Sequence, residues 1–179
     1  MKALVFDRGK AQVRDVRRPV PRAGHVLIRV TLSGICNSDL ELRRGYQGFS
    51  GIPGHEFVGV VEGPEDSKLV GRRVVGEINL ACGSCGWCRQ DLGRHCPRRT
   101  VLGIRGHPGA HAEYLTLPNH NIYIVPAEVT DAEAVFVEPL AAACEILDQV
   151  AVTPGMRAAV VGPGKLGRLA AQVLAQAGA

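Results

Sequence analysis

Hydrophobic and polar residues alternate along the first third of the chain with the period of a strand, not of a helix. Residues 2–7 and 12–16 alternate, Pro19 and Pro21 interrupt, and residues 25–32 alternate again through Val26, Ile28, Val30 and Leu32. Gly34 ends that strand just before Cys36. The polar stretch 38–44 fits a short helix, and a glycine-rich loop continues to Pro53. Further strands are predicted at 57–62, 73–77, 112–117 and 121–125. Between them, residues 80–99 are rich in Cys and Gly and show no apolar period, so something other than a core must hold them.

Helical period begins at Thr130. Thr130 and Glu133 form an S/T-x-x-E capping box ahead of Ala134 and Val135. Pro139 cannot sit inside that helix, so a second helix is predicted to start there with Pro in its first turn, burying Leu140, Ala143, Cys144 and Leu147. Glu138 is thereby placed at a helix junction. A new unit follows Pro154: an apolar strand at 158–161, the turn Gly162-Pro163-Gly164-Lys165-Leu166-Gly167, and a helix with one apolar face through Leu166, Leu169, Ala170, Val173, Leu174 and Ala177. The pattern divides the chain at about residue 150, with a mainly β domain over 1–150 and a strand-turn-helix over 151–179.

Composition sharpens this picture in three places. A hydrophobic content of 46% is enough for a core without staples, while 22 glycines and 11 prolines fit short strands and many turns. The net charge of +4 is mild and its arginines are scattered, which does not indicate a nucleic-acid face. The N-terminus offers only Ala3–Phe6 as an apolar run before Asp7, too short for a signal peptide, and no run is long enough to span a bilayer. A cytoplasmic, reducing setting is therefore expected, in which clustered cysteines read as metal ligands before disulfides.

The strongest chemical signal is Cys82-x2-Cys85-x2-Cys88-x7-Cys96. Four thiolates at this spacing can close a tetrahedral shell around one Zn²⁺, leaving no position for substrate, so the site reads as structural. A ferredoxin-type iron–sulfur run has three residues before its last Cys; this one has seven. A second metal site would be assembled from distant residues: Cys36, His55 with Glu56, and Glu138 supply a mixed sulfur, nitrogen and oxygen set suited to Zn²⁺ with room for a water or substrate oxygen. Asp39 is a natural partner for the His55 imidazole, and Ser38 can pass on a proton from a metal-bound hydroxyl. Finally Gly162, Gly164 and Gly167, with Lys165 and Leu166 between them, read as a dinucleotide turn because an apolar strand is predicted before them and an amphipathic helix after them.

These five motifs occur in the order seen in the zinc-dependent medium-chain dehydrogenase/reductase family, which the chain resembles over essentially its whole length. The resemblance implies a GroES-like, partly open β-barrel carrying a structural zinc lobe at about 80–99, followed by the start of an α/β Rossmann domain. It implies two Zn²⁺ per chain and NAD or NADP as cofactor. Cys36 and His55 look like catalytic-zinc ligands. Glu138 occupies the place where polyol, threonine and glucose dehydrogenases carry Glu, and Glu56 resembles the carboxylate that ligates or exchanges with water in that group. Cys144 is read as packing.

The activity so implied is hydride transfer between a secondary alcohol or polyol and its ketone, with the metal acting as Lewis acid. The full-length protein is expected to act on a small molecule, as a homo-oligomer, without nucleic acid or membrane partners. Tyr46 and Phe49 are candidates to line a substrate cleft. Two departures from the family stand out. Glu41 lies where many members place a proton-relaying His, and members are longer than this chain, so these residues by themselves are expected to bind zinc but neither to bind dinucleotide tightly nor to turn over substrate. Two other readings compete: a zinc-stabilised binding module, which needs only the lobe, and a zinc-free quinone reductase, which ordinarily lacks both the lobe and the Cys36/His55 pair.

Overall fold

The computed structural model describes Met1–Ala179, which form two compact units, Met1–Val135 and Phe136–Ala179. The first unit is mainly β. Strands β1 (Lys2–Asp7) and β2 (Lys10–Asp15) make an antiparallel hairpin. The chain continues through β3 (His25–Gly34), helix α1 (Asn37–Arg43), β4 (Glu56–Gly63) and β5 (Arg73–Gly76). Then come β6 (Asn79–Leu80), α2 (Gly86–Arg89), β7 (Thr100–Leu102), β8 (Gly106–His107), β9 (Tyr114–Pro118), β10 (Ile122–Ile124) and the single turn α3 (Asp131–Ala134). The central sheet has five antiparallel strands in the order β10-β5-β4-β3-β9. Register shifts in the β3–β4 pairing bend β3, whose far end leads into Cys36.

Strand β4 is buried on both faces, one against each of two apolar clusters. Phe57 and Val61 of β4 join Val26, Ile28, Val74, Leu115 and Leu117 in one cluster, while Val58 joins Val75, Val125, Ala134 and Val135 in another. The capping box forms as expected: the Thr130 backbone N–H donates to Glu133 Oε2 (2.9 Å) and the Glu133 N–H to Thr130 Oγ1 (3.3 Å). The small sheet β6-β7-β8 at the base of the cysteine lobe was not foreseen, because strands of two or three residues show no alternation to read.

His107 on β8 carries a consequence for pH. Its Nδ1–H donates to the Pro108 carbonyl (2.9 Å). Burial holds its pKa below 6.5, the carbonyl raises it in part, and the charges of Arg22 and His25 lower it further. The unfolded chain then takes up a proton that the folded chain resists, so the stabilising contribution is complete above pH 6.5 and is lost as pH falls toward the folded pKa. His55 acts with the same sign. His107→Gln should flatten the loss of stability between about pH 7 and 5 in urea unfolding; an unaltered pH profile would contradict this.

The second unit holds α4 (Val137–Gln149), with Pro139 in its first turn as predicted, and α5 (Lys165–Gln176). Val150, where the sequence pattern suggested a domain boundary, is the C-cap of α4. Two expectations need correction. The strand predicted at 158–161 does not form, and Val161 is fully exposed: a strand exists by pairing, and this unit contains no other strand to pair with. Of the stripe predicted on α4 only Ala143 is buried; Leu140, Cys144 and Leu147 stay exposed along a groove facing Val173 and Ala177 of α5, since one partner helix cannot cover the whole face. On α5, Val173 is buried on the predicted face.

Candidate metal centres

In the lobe, the four predicted cysteines converge. Sγ separations are 3.8 Å for Cys82–Cys88, 3.4 Å for Cys85–Cys88 and 3.8 Å for Cys85–Cys96. Four sulfurs at about 2.3 Å from a tetrahedral zinc stand roughly 3.8 Å apart, whereas a disulfide needs about 2.05 Å. Cys85 caps α2 and Cys96 is completely buried. The cluster is not electrically self-sufficient. The Ser84 backbone N–H pulls Cys82 down to about 5, while burial and then the Cys85 sulfur push Cys88 up to about 11. Arg98 supplies one positive charge at the rim, donating to Ser84 Oγ (3.0 Å), and its pKa is raised by the Cys82 sulfur.

The second group forms where the end of β3 meets the start of β4. Ligand atoms of Cys36, His55 and Glu56 lie within 4.8 Å of one another, and His55 and Glu56 are buried. Local sequence explains the placement. Cys36 is the N-cap of α1, and Asp39 three residues on turns back to accept its backbone N–H (2.9 Å). The other Asp39 oxygen accepts the Gly54 N–H (3.1 Å), so one carboxylate ties together the segments carrying Cys36 and His55. Gly54 has φ +97°, and a Cβ there would come within 2.7 Å of the His111 ring; only glycine allows this turn and contact. Gly103 and Gly109 also press closely on the Pro53-Gly54 backbone, leaving no room for a Cβ on either.

Charge states favour a cation. Burial pushes the Asp39 carboxyl up, but the nearby His111 ring, the Cys36 N–H and the nearby His55 together hold it below the usual carboxylate range. Burial lowers His55, against the upward pull of Asp39 and Glu56, so the imidazole is neutral near pH 7, as a metal ligand must be. His55 Nδ1 lies 3.8 Å from Asp39 Oδ1, which leaves Nε2 for the metal side.

Of the other predicted residues, Ser38 Oγ stands 3.5 Å from Cys36 Sγ. Glu138 is in the first turn of α4, in the second unit, and is not one of the three that converge. Glu41 pairs with Arg44 on the exposed side of α1, Tyr46 is exposed, and Phe49 packs edge-on against Phe6. In the glycine turn, Gly162 has φ +89° and Gly164 caps α5; a Cβ on Gly167 would collide with the Gly162 carbonyl. His111, which touches Asp39 and Ser33, was missed, because nothing in Ala110-His111-Ala112 distinguishes it from a packed ring.

Residues 22–127 match the family description "Alcohol dehydrogenase GroES-like domain". The chain is 36% identical to an L-threonine 3-dehydrogenase of Sinorhizobium medicae, with 100% of this chain and 55% of that protein covered. It is 34% identical to a sorbitol dehydrogenase of Halalkalibacterium halodurans (97% and 53%). A crystal structure described as the short chain alcohol dehydrogenase rspB of Escherichia coli CFT073, complexed with NADH, superposes with a TM-score of 0.90 at 31% identity, covering 97% of this chain and 52% of that one. The chain spans about half the length of the relatives it matches. The chain belongs to the zinc-containing medium-chain alcohol dehydrogenase family, and a GroES-like domain with a four-cysteine lobe makes up most of it.

Proposed function

We propose that this chain supplies the metal-binding part of an enzyme that moves hydride between a secondary alcohol or polyol, or the matching ketone, and NAD or NADP. The observation that carries this reading is the convergence of a thiolate, an imidazole and a carboxylate, Cys36, His55 and Glu56, around one point. That donor set fits Zn²⁺ with a position left for substrate, and the four-cysteine lobe fits a second, closed Zn²⁺ site. When bound at the first site, zinc supplies Lewis acidity toward the substrate oxygen. Asp39 faces His55 Nδ1 at 3.8 Å and so favours the tautomer that presents Nε2, and Ser38 stands beside Cys36 to take up and pass on the hydroxyl proton. Glu138 is retained as a further ligand on the strength of its Val137-Glu138-Pro139-Leu140 motif.

The turn from Gly162 to Gly167, with Lys165 and Leu166 at the N-terminus of α5, is the proposed seat of the dinucleotide pyrophosphate. Its support is the close approach of Gly167 to Gly162, where a Cβ would collide with the carbonyl and only glycine fits. In this reading residues 151–179 begin the nucleotide-binding domain, and the whole enzyme is a homo-oligomer acting on small molecules in the cytoplasm, where thiolate ligands stay reduced. No helix is long and apolar enough to cross a membrane. Metal analysis of the purified chain tests the proposal: two zinc equivalents are expected, and a single equivalent would leave only the lobe site.

A further inference from the structure

Two buried ring nitrogens, Nδ1 of His55 and Nε2 of His111, have no hydrogen-bond partner, and both face one carboxylate. His55 Nδ1 is 3.8 Å from Asp39 Oδ1, and His111 Nε2 is 3.5 Å from Asp39 Oδ2. Asp39 itself is 2% exposed and already accepts the Cys36 and Gly54 backbone N–H groups. We propose that His111 is a positioning residue for the cation site: its imidazole locks the Asp39 carboxylate, which in turn orients His55 and the backbone of Cys36. This rests on the reading of Cys36, His55 and Glu56 as metal ligands.

The tautomer follows from the partners. His111 Nδ1 lies 3.0 Å from Ser33 Oγ, and both Asp39 oxygens already serve as acceptors, for the Cys36 and Gly54 N–H groups. Ser33 O–H therefore donates to Nδ1, and the ring proton sits at Nε2, facing Oδ2. Each Asp39 oxygen then accepts one backbone N–H and faces one imidazole nitrogen, Oδ1 that of His55 at 3.8 Å and Oδ2 that of His111 at 3.5 Å. His111 is fixed in turn by its contact with Gly54, where no side chain fits, and by Ser33 on β3. Without the His111 ring, the Cys36 and Gly54 N–H groups still hold one oxygen each, but nothing packs Oδ2 from the His111 side, and the tilt of the carboxylate toward His55 loses its third support. Ring orientation of a metal-binding imidazole depends on its outer partner, whose loss ordinarily weakens metal binding about 10–100-fold. His111 stands one step further out, so the lower end applies.

Packing alone makes a different forecast from positioning. A phenyl ring fills much of the same space without a donor, whereas a glutamine side chain restores an N–H with less ring-like packing. The whole chain, its lobe first filled with zinc, is titrated with Co²⁺ at the second site, following the visible spectrum and chelator competition. His111→Phe should weaken Co²⁺ binding about 10-fold and shift the spectrum while leaving lobe zinc and melting temperature nearly unchanged; His111→Gln should recover most of the affinity. His111→Phe with wild-type affinity and spectrum overturns the positioning role while leaving the metal site intact. Should that variant not fold, Ser33→Ala, which keeps the ring but frees its tautomer, carries the test: weakened Co²⁺ binding supports the role and unchanged binding overturns it. A wild-type chain that takes up no second cation overturns both this inference and the site reading on which it rests.

Discussion

Replacing Cys88 by serine should release the lobe zinc and lower the melting temperature by roughly 10 °C. The lobe has little else to hold it. Of its residues only Cys96 is fully buried, Trp87 is half exposed, and α2 is a single turn. Zinc bound by small cysteine-rich folds contributes on the order of 10 kcal/mol of folding free energy. If about a third of that is felt by the whole unit, at about 3 °C per kcal/mol, a shift of that size follows. Serine fits the space but ionises too weakly to replace a thiolate, so the zinc shell is left with three sulfurs. Zinc content and thermal melting on the same sample decide the matter. Loss of zinc with an unchanged melting temperature would mean that the lobe folds on other contacts.

The second large effect concerns His55. His55→Ala should remove one zinc equivalent and leave the lobe loaded, and in the whole enzyme it should abolish turnover. His55 supplies the only nitrogen in the converging set, and its loss exceeds the roughly 10–100-fold weakening expected from an outer partner. The fold should survive. The side chain faces Asp39 and belongs to neither apolar cluster, so its removal leaves both clusters packed. The expected readout is one zinc per chain with a melting temperature within a few degrees of wild type. Two zinc equivalents in the variant would sink the assignment. A collapse of both sites together would show that His55 serves the fold instead.

Much of this was legible locally. The alternation of 25–32 and 57–62, the capping box at Thr130 and the single apolar face of α5 each reflect a period that the backbone imposes within one element. The four-cysteine lobe was equally readable, because ligands within fifteen residues need only short turns to converge. The strand expected at 158–161 failed for the opposite reason: its apolar run is a necessary feature of a strand, but pairing is what makes one, and no partner strand lies in its unit.

The second metal group marks the boundary between the two kinds of information. Which residue types it would need, a thiol, an imidazole and carboxylates, could be chosen from the sequence of this chain, as could Asp39 as the partner of His55. Their meeting within 4.8 Å, and the choice of Glu56 as the carboxylate beside Cys36 and His55, came only with the pairing of β3 and β4. His111 belongs wholly to the tertiary structure. It lies seventy-eight residues from Ser33, and its backbone bonds to Pro53 and Leu4, with the pairing of β3 and β9 just after it, carry it back to Asp39. Sequence periods determine how an element turns its faces, since bonded geometry acts over a few residues. Contacts across the fold depend on register between strands, which the buried side chains of both partners set together.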